Sequence, residues 1–322
     1  MDNATPVGEG GAVLRRPRVH LALLALALCV GSLAVVPAAI AGDNGTIAFQ
    51  GFRRGSDTQV SVFTMAADGT NVKRLVTGEQ PAISGDGKKI AFVRAAGANR
   101  QYREVFVMDS DGTDVRQLTN DKSVASQPTF SPDGREVAYV SDGRLANQPE
   151  GPQIFLMTSS GSDPVQLTQG GPKGVPSSNS EPSFAPNGNR IVFIHTGEHG
   201  EEIETMKTDG SDRTVLGRDA PFRNPSHPSY EPAGRRIVFQ ATAEKGGKTN
   251  VYTFEPTKGL DLDKVNKGDT EAFEPAYSPN GRALVFRRGL NLFSMAPDGS
   301  GVDQLTDIDQ QDGSNSSPSW GR

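Results

Sequence analysis

From Pro128 to Val140 the chain reads PTFSPDGREVAYV: a short mixed polar and apolar segment, a Pro-Asp-Gly turn, then the apolar run Val137-Ala138-Tyr139-Val140. The same pattern recurs at PAISGDGKKIAFV (Pro81–Val93), PSFAPNGNRIVFI (Pro182–Ile194), PSYEPAGRRIVFQ (Pro228–Gln240) and PAYSPNGRALVFR (Pro275–Arg287). The leading prolines stand at 81, 128, 182, 228 and 275, so the spacings are 47, 54, 46 and 47 residues. Short strand-type segments at such a period, punctuated by Gly turns, predict a β-propeller with one four-stranded antiparallel blade per repeat.

In the third repeat the four strands, A to D, are expected at Pro128–Ser131, Glu136–Val140, Gln153–Thr158 and Val165–Thr168. Strands B and C are almost wholly apolar, as at Ile154-Phe155-Leu156-Met157, which suits strands covered on both faces by neighbouring blades. The A–B turns carry Asp86-Gly87, Asp133-Gly134, Asn187-Gly188, Ala233-Gly234 and Asn280-Gly281. The C–D turns carry Asp68-Gly69, Asp111-Gly112, Ser160-Gly161, Asp209-Gly210 and Asp298-Gly299. Asp-Gly and Asn-Gly pairs accept the positive φ that tight hairpins need. Gly45–Gln50 matches strand B with no strand A before it, while Ser317-Pro318-Ser319-Trp320 matches strand A with nothing after it. The two segments are therefore expected to pair, giving an all-β, six-bladed ring whose C-terminal strand completes blade one and removes the open sheet edges. Trp320 then takes the core place that Phe130 has in its blade.

These repeats, SPDGR…VAYV…IFLMTSSG…QLT, resemble those of the TolB family and of related six-bladed, WD-like repeat modules in exported bacterial proteins, over about Gly45 to Trp320. The resemblance implies the propeller alone, without the α/β domain that precedes it in TolB. They also resemble the propellers of prolyl-oligopeptidase-type peptidases, but the chain holds no G-x-S-x-G.

Upstream, Arg15, Arg16 and Arg18 precede an uncharged stretch, Val19–Ala41, that ends in Ala39-Ile40-Ala41. A basic segment, an apolar stretch and a small-x-small site predict a signal peptide over residues 1–41, with the propeller at 42–322. An uncleaved membrane anchor is the alternative. The protein is thus expected to be exported, to a periplasmic, extracellular or cell-envelope location. Cys29, the only cysteine, lies in the leader, so stability downstream rests on the core and not on disulfides. A net charge of −5 does not suit phosphate-backbone binding, and no nucleic-acid partner is expected.

Candidate chemistry concentrates where strand A begins. The residues before the strand-A prolines are Gln80, Gln127, Glu181, His227, Glu274 and Ser317, and strand direction turns them toward the mouth of the axial channel. Glu181, His227 and Glu274 come from consecutive blades, and two carboxylates with a His suit a divalent cation or a cationic group. The competing expectation is a polar channel lining with no ligand. Arg287 and Arg288 end strand B of blade six, placed either to hold a ligand carboxylate or to bridge to a neighbouring blade. His195-Thr196-Gly197-Glu198-His199 spells H-x-x-E-H, but it follows strand B and contains Gly197, so a hairpin is expected there, not the helix of a zinc protease. Asp109-Ser110-Asp111-Gly112 and Asp307-Ile308-Asp309 lack the Glu that closes a calcium loop.

The A–B and C–D turns share one end of the ring and are short. The B–C hairpins and D–A links share the other end and vary widely, and binding sites favour variable loops on a rigid scaffold. The expectation is a binding or scaffold propeller without catalytic residues or cofactor, recognising a protein, peptide or cell-envelope polymer on the variable-loop end. A membrane is met only through an uncleaved N-terminal segment. The alternative is a cation-assisted lyase or hydrolase at the channel mouth.

Overall fold

A computed structural model describes residues 45–54, 59–120, 122–142, 151–171, 177–218, 220–244, 247–257, 261–309 and 312–322. The expected signal segment lies outside these residues, as do parts of the blade-three B–C hairpin and of the D–A links before blades four and six. The described residues form six four-stranded antiparallel sheets and no helix.

Each sheet follows the chain order A-B-C-D, except that blade one takes its strand A from the C-terminus. There Gly313–Gly321 pairs with Thr46–Arg53, and Trp320 lies opposite Ile47, as the end segments predict. The remaining A strands are Glu79–Ile83, Ala125–Phe130, Ser178–Phe184, Phe222–Tyr230 and Phe273–Tyr277. The remaining B strands are Lys89–Ala96, Glu136–Ser141, Arg190–Gly197, Ile237–Ala243 and Leu284–Arg288. Strands B and C are the buried ones, and the core consists of the seams between successive blades. Ala48 and Val62 of blade one meet Phe92 and Phe106 of blade two, and Val238 and Val251 of blade five meet Phe286 of blade six. Facing Phe rings on strands B and C stack within a seam, as in Phe49–Phe63 at 5.4 Å and Phe92–Phe106 at 5.7 Å.

In blade three two boundaries differ from the sequence expectation by more than one residue, each for a local reason. Strand D of blade three ends at Gln166, not Thr168. The Thr168 hydroxyl accepts the Ile154 N–H, and Gln166 Nε2 donates to the Thr168 carbonyl, so side chains take over half of the ladder there while the Leu167 N–H still donates to the Ile154 carbonyl. Thr119 and Thr306 repeat the arrangement, which explains why Gln-Leu-Thr recurs. Strand A of blade three begins at Ala125, upstream of Pro128, with a register shift between Ser126 and Thr129. Proline has no N–H to give the ladder, so the strand bulges around it and resumes.

The turns hold charge as well as shape. Asp68, Asp111 and Asp298 each accept both the hydroxyl and the backbone N–H of the Thr or Ser two residues on, and Asp209 accepts the Ser211 N–H. The side chain of that Thr or Ser chiefly holds these carboxyls below the usual Asp range. Asp86 and Asp133 are lowered in the same way by Ser84 and Ser131. A folded-state pKa below the unfolded one stabilises the fold above the unfolded value, and that contribution is lost as pH falls through the depressed folded values. Urea midpoints are therefore expected to fall between about pH 5 and pH 3. Replacing the four C–D aspartates with Asn, which this chain already uses in A–B turns, is expected to flatten the decline. An unchanged pH slope in that variant would count against the turns.

Candidate functional site

Six X-Pro pairs, one per blade, ring the axis, and every X residue has a left-handed backbone. φ is 51° at Gln80, 51° at Gln127, 54° at Glu181, 53° at His227, 53° at Glu274 and 50° at Ser317. Left-handed backbone at a non-Gly residue costs on the order of 1–3 kcal/mol and persists only where other contacts impose it. Here the imposing contacts pass from blade to blade. The Gln127 N–H donates to Oε1 of Gln80 (2.9 Å), the Glu181 N–H to Oε1 of Gln127 (2.9 Å), and the His227 N–H to Oε2 of Glu181 (2.6 Å). The Ser317 N–H donates to Oε2 of Glu274 (2.6 Å).

Two side chains in the collar do not serve the next blade in this way, and strand B supplies the acceptor instead. The Glu274 N–H follows His227 and donates to Oε1 of Gln240 (2.6 Å). The Gln80 N–H follows Ser317 and donates to Oε1 of Gln50 (2.8 Å), whose amide in turn donates to Ser316 Oγ. The sequence reading omitted Gln50 and Gln240. The signal was present: both stand where Val93, Val140 and Ile194 continue apolar strands.

Inside the collar lies a cavity of about 370 Å³. All six predicted X residues line it, with the six prolines and the small residues after them, Ala82, Thr129, Ser183, Ser229, Ala276 and Ser319. From the collar it extends toward the A–B turns, reaching Pro232, Ser278 and Pro279, so this hollow faces the short-turn end. Its wall is uneven: Tyr230, Tyr277 and Trp320 of blades five, six and one add aromatic surface. Burial pushes the Tyr277 hydroxyl up.

The charged candidates separate. Arg287 Nε donates to Glu274 Oε1 (3.1 Å) and its guanidinium lies over Phe273, so both oxygens of Glu274 are engaged. Arg288 turns away from the cavity lining onto Phe286 and Phe293. His227 Nδ1 is 3.5 Å from Glu181 Oε1 and has no hydrogen-bond partner. Among the described residues no three His, Cys, Asp or Glu side chains gather into a metal-binding group. H-x-x-E-H forms a hairpin in which His195 pairs with Glu202 and Gly197 with Gly200, and His195 Nδ1 meets Asn179 Oδ1 (3.1 Å). Asp109 pairs with Lys89 (2.6 Å), and Asp309 accepts the Asp312 N–H (3.0 Å).

Closed blades, a C-terminal strand completing the first, and an axial hollow define a six-bladed β-propeller. Residues 31–227 match the TolB beta propeller domain, and the chain belongs to that family. TolB from Acinetobacter baumannii superposes with a TM-score of 0.68 at 20% identity, over 88% of this chain and 68% of that one. An oligogalacturonate lyase in complex with manganese superposes at 0.50 with 12% identity, over 73% of this chain and 72% of that one. A curated relative, the uncharacterized peptidase YuxL of Bacillus subtilis (strain 168), is 22% identical over 172 residues, 53% of this chain but 23% of its own length. The match thus spans about a quarter of that relative. At these identities the solved structures bear on fold alone.

Proposed function

We propose that this protein is an exported, non-catalytic binding propeller that recognises a protein, peptide or cell-envelope polymer on the end carrying its B–C hairpins and D–A links. The observation that carries this is the collar. The oxygens of Gln80, Gln127, Glu181 and Glu274 that sequence reasoning offers to a ligand accept backbone N–H groups of neighbouring blades. Side chains so engaged hold a scaffold rigid, and rigidity is what lets variable loops present a fixed surface. The relatives are mixed in this respect, a TolB beside a lyase and a peptidase, so the class of activity rests on this chain's own residues. The test is affinity capture from an envelope fraction with the exported protein as bait, followed by a saturable isotherm with the purified partner. Turnover of an envelope polymer or peptide by the same preparation, lost in His227→Ala, overturns it.

A second reading, cation-assisted lyase or hydrolase chemistry, draws on the buried, unpartnered His227 Nδ1 facing Glu181. Under the binding reading the melting temperature is expected to be the same with EDTA and with added Mn²⁺. An ion-dependent rise that disappears in His227→Ala favours the second. Export itself predicts that N-terminal sequencing of the mature protein begins at Gly42; a start near Met1 indicates an anchor.

A further inference from the structure

Among the described residues five arginine guanidinium groups lie over phenylalanine rings, and they are of two kinds. Arg213, over Phe193, pairs with Glu204 at 2.7 Å, and Arg287, over Phe273, pairs with Glu274. Arg53 over Phe63, Arg94 over Phe106 and Arg288 over Phe293 lie 4.7, 4.1 and 5.2 Å from the ring centres and have no carboxylate of a described residue within ion-pair distance. Arg53 donates only to the carbonyls of Phe52 and Ser314, and Arg288 Nε is buried without any acceptor. Glu104 lies across from Arg94 on strand C, but its oxygens accept from the Thr119 hydroxyl and the Lys122 N–H. All three arginines keep partial exposure.

The placement of the three repeats with the fold. Phe49, Phe92 and Phe286 are equivalent in strand B, and two residues on stand Gly51, Arg94 and Arg288. Gly51 lacks a side chain of its own, and Arg53 folds back to fill the space. A Cβ at Gly51 would meet the Phe63 ring at 2.9 Å and Arg53 Nη1 at 3.0 Å. Each guanidinium therefore caps a seam at the variable-loop end: between blades five and six, six and one, and one and two. Three consecutive seams carry a positive group with no counter-ion among the described residues. Burial holds Arg53 and Arg94 below the usual Arg range, a sign that their charge is incompletely solvated. Partly exposed apolar residues, Phe52, Ala96 and Leu290, lie beside them.

We propose that Arg288, Arg53 and Arg94 form an arc that binds the carboxylates of an acidic peptide segment in which Asp or Glu side chains alternate with small apolar ones. Guanidinium presents paired donors that match a carboxylate, and its stacking on Phe fixes the fork in place. A peptide fits better than an acidic sugar polymer, because the ring faces on which a sugar would stack are already covered by the guanidinium groups. This inference rests on the binding reading and names the ligand chemistry of its surface.

The experiment uses a fluorescein-labelled (Glu-Ala)4 peptide, with (Lys-Ala)4 and polygalacturonate as comparison probes. The full exported protein is expected to bind the acidic peptide saturably at low salt, and more weakly as added salt shortens the screening length. The triple variant Arg53→Gln, Arg94→Gln, Arg288→Gln is expected to bind at least about tenfold more weakly, given how strong charge-assisted bidentate contacts are. Arg135→Gln, an exposed arginine on an A–B turn at the other end, is expected to bind as wild type. Because the triple variant also loses packing on three Phe rings, wild-type protein is treated in parallel with phenylglyoxal. The acidic peptide is expected to slow modification of Arg94 and Arg288 as read by mass spectrometry. Equal modification with and without peptide, equal binding by the triple variant, or tighter binding of polygalacturonate overturns the proposal. A partner captured equally by wild type and triple variant refutes the arc and leaves the binding reading standing.

Discussion

Deleting Gly313–Arg322 is expected to abolish soluble, folded protein. The segment supplies the whole inner strand of blade one and joins both neighbouring blades. Its Ser317 N–H and Asn315 amide donate to Glu274 and Thr306 of blade six, and Ser319 Oγ accepts the Ile83 N–H of blade two. The Arg322 N–H reaches the Gly85 carbonyl, and the tail lies so close to the blade-two turn that a Cβ on Gly87 would collide with the Arg322 carbonyl oxygen. Without the strand, Thr46–Arg53 becomes an open edge and Ile47, Phe63 and Met65 lose Trp320 from their cluster. Trp320→Ala alone is expected to cost about 3–5 kcal/mol, as large-to-small changes at buried aromatics do. Sedimentation of the expressed protein and its thermal melt decide the matter; a truncated chain that melts within a few degrees of the parent refutes closure by this strand.

The next largest effect is expected at the collar. Glu274→Ala removes the acceptor for the Ser317 N–H and the partner of Arg287, leaving a partly buried donor and a partly buried cation unsatisfied. Losing a hydrogen-bonded charge whose partners stay in place costs about 2–4 kcal/mol. Glu274→Gln keeps one acceptor oxygen, enough for the Ser317 N–H or for Arg287 Nε but not for both, and is expected to recover only part of that loss. Gln127→Ala, which strands only the Glu181 N–H, is expected to cost about 1–2 kcal/mol. Urea unfolding with a shared m-value measures all three. Were Glu274→Ala to unfold at the wild-type midpoint, the interblade bonds would not be what imposes the left-handed backbone at the X-Pro positions.

The ring was legible before the structure because its determinants are local. Each blade announces itself by an apolar strand B, an Asp-Gly or Asn-Gly turn and an apolar strand C. Closure followed from one unpaired strand at each end. The six residues before the prolines were legible as a set for the same reason, since their position in the repeat forces them onto the axis. Their roles were not. Glu181 reads in the sequence as a ligand because a carboxylate near an axis is chemically versatile. That it accepts the His227 N–H depends on a left-handed turn that no residue type there announces, because a residue before proline ordinarily extends. Gln50 and Gln240 were overlooked because they become collar members only where the neighbouring side chain, Ser317 or His227, does not supply the bond.

Arg287 and Arg288 show the same division. Adjacent in sequence, they point to opposite sides of a strand, one to Glu274 and the other onto a seam with Phe286 and Phe293. By itself the chain determined the number of blades, the turns between strands, the burial of Trp320 and the axial ring, since each follows from periodicity and backbone preference within a few residues. Only the tertiary structure decided which polar groups in that ring are already bonded and which arginines lack a counter-ion among the described residues. Those outcomes depend on donors and acceptors that lie one blade away in space and, for the collar, 30 to 54 residues away along the chain, beyond the reach of local pattern.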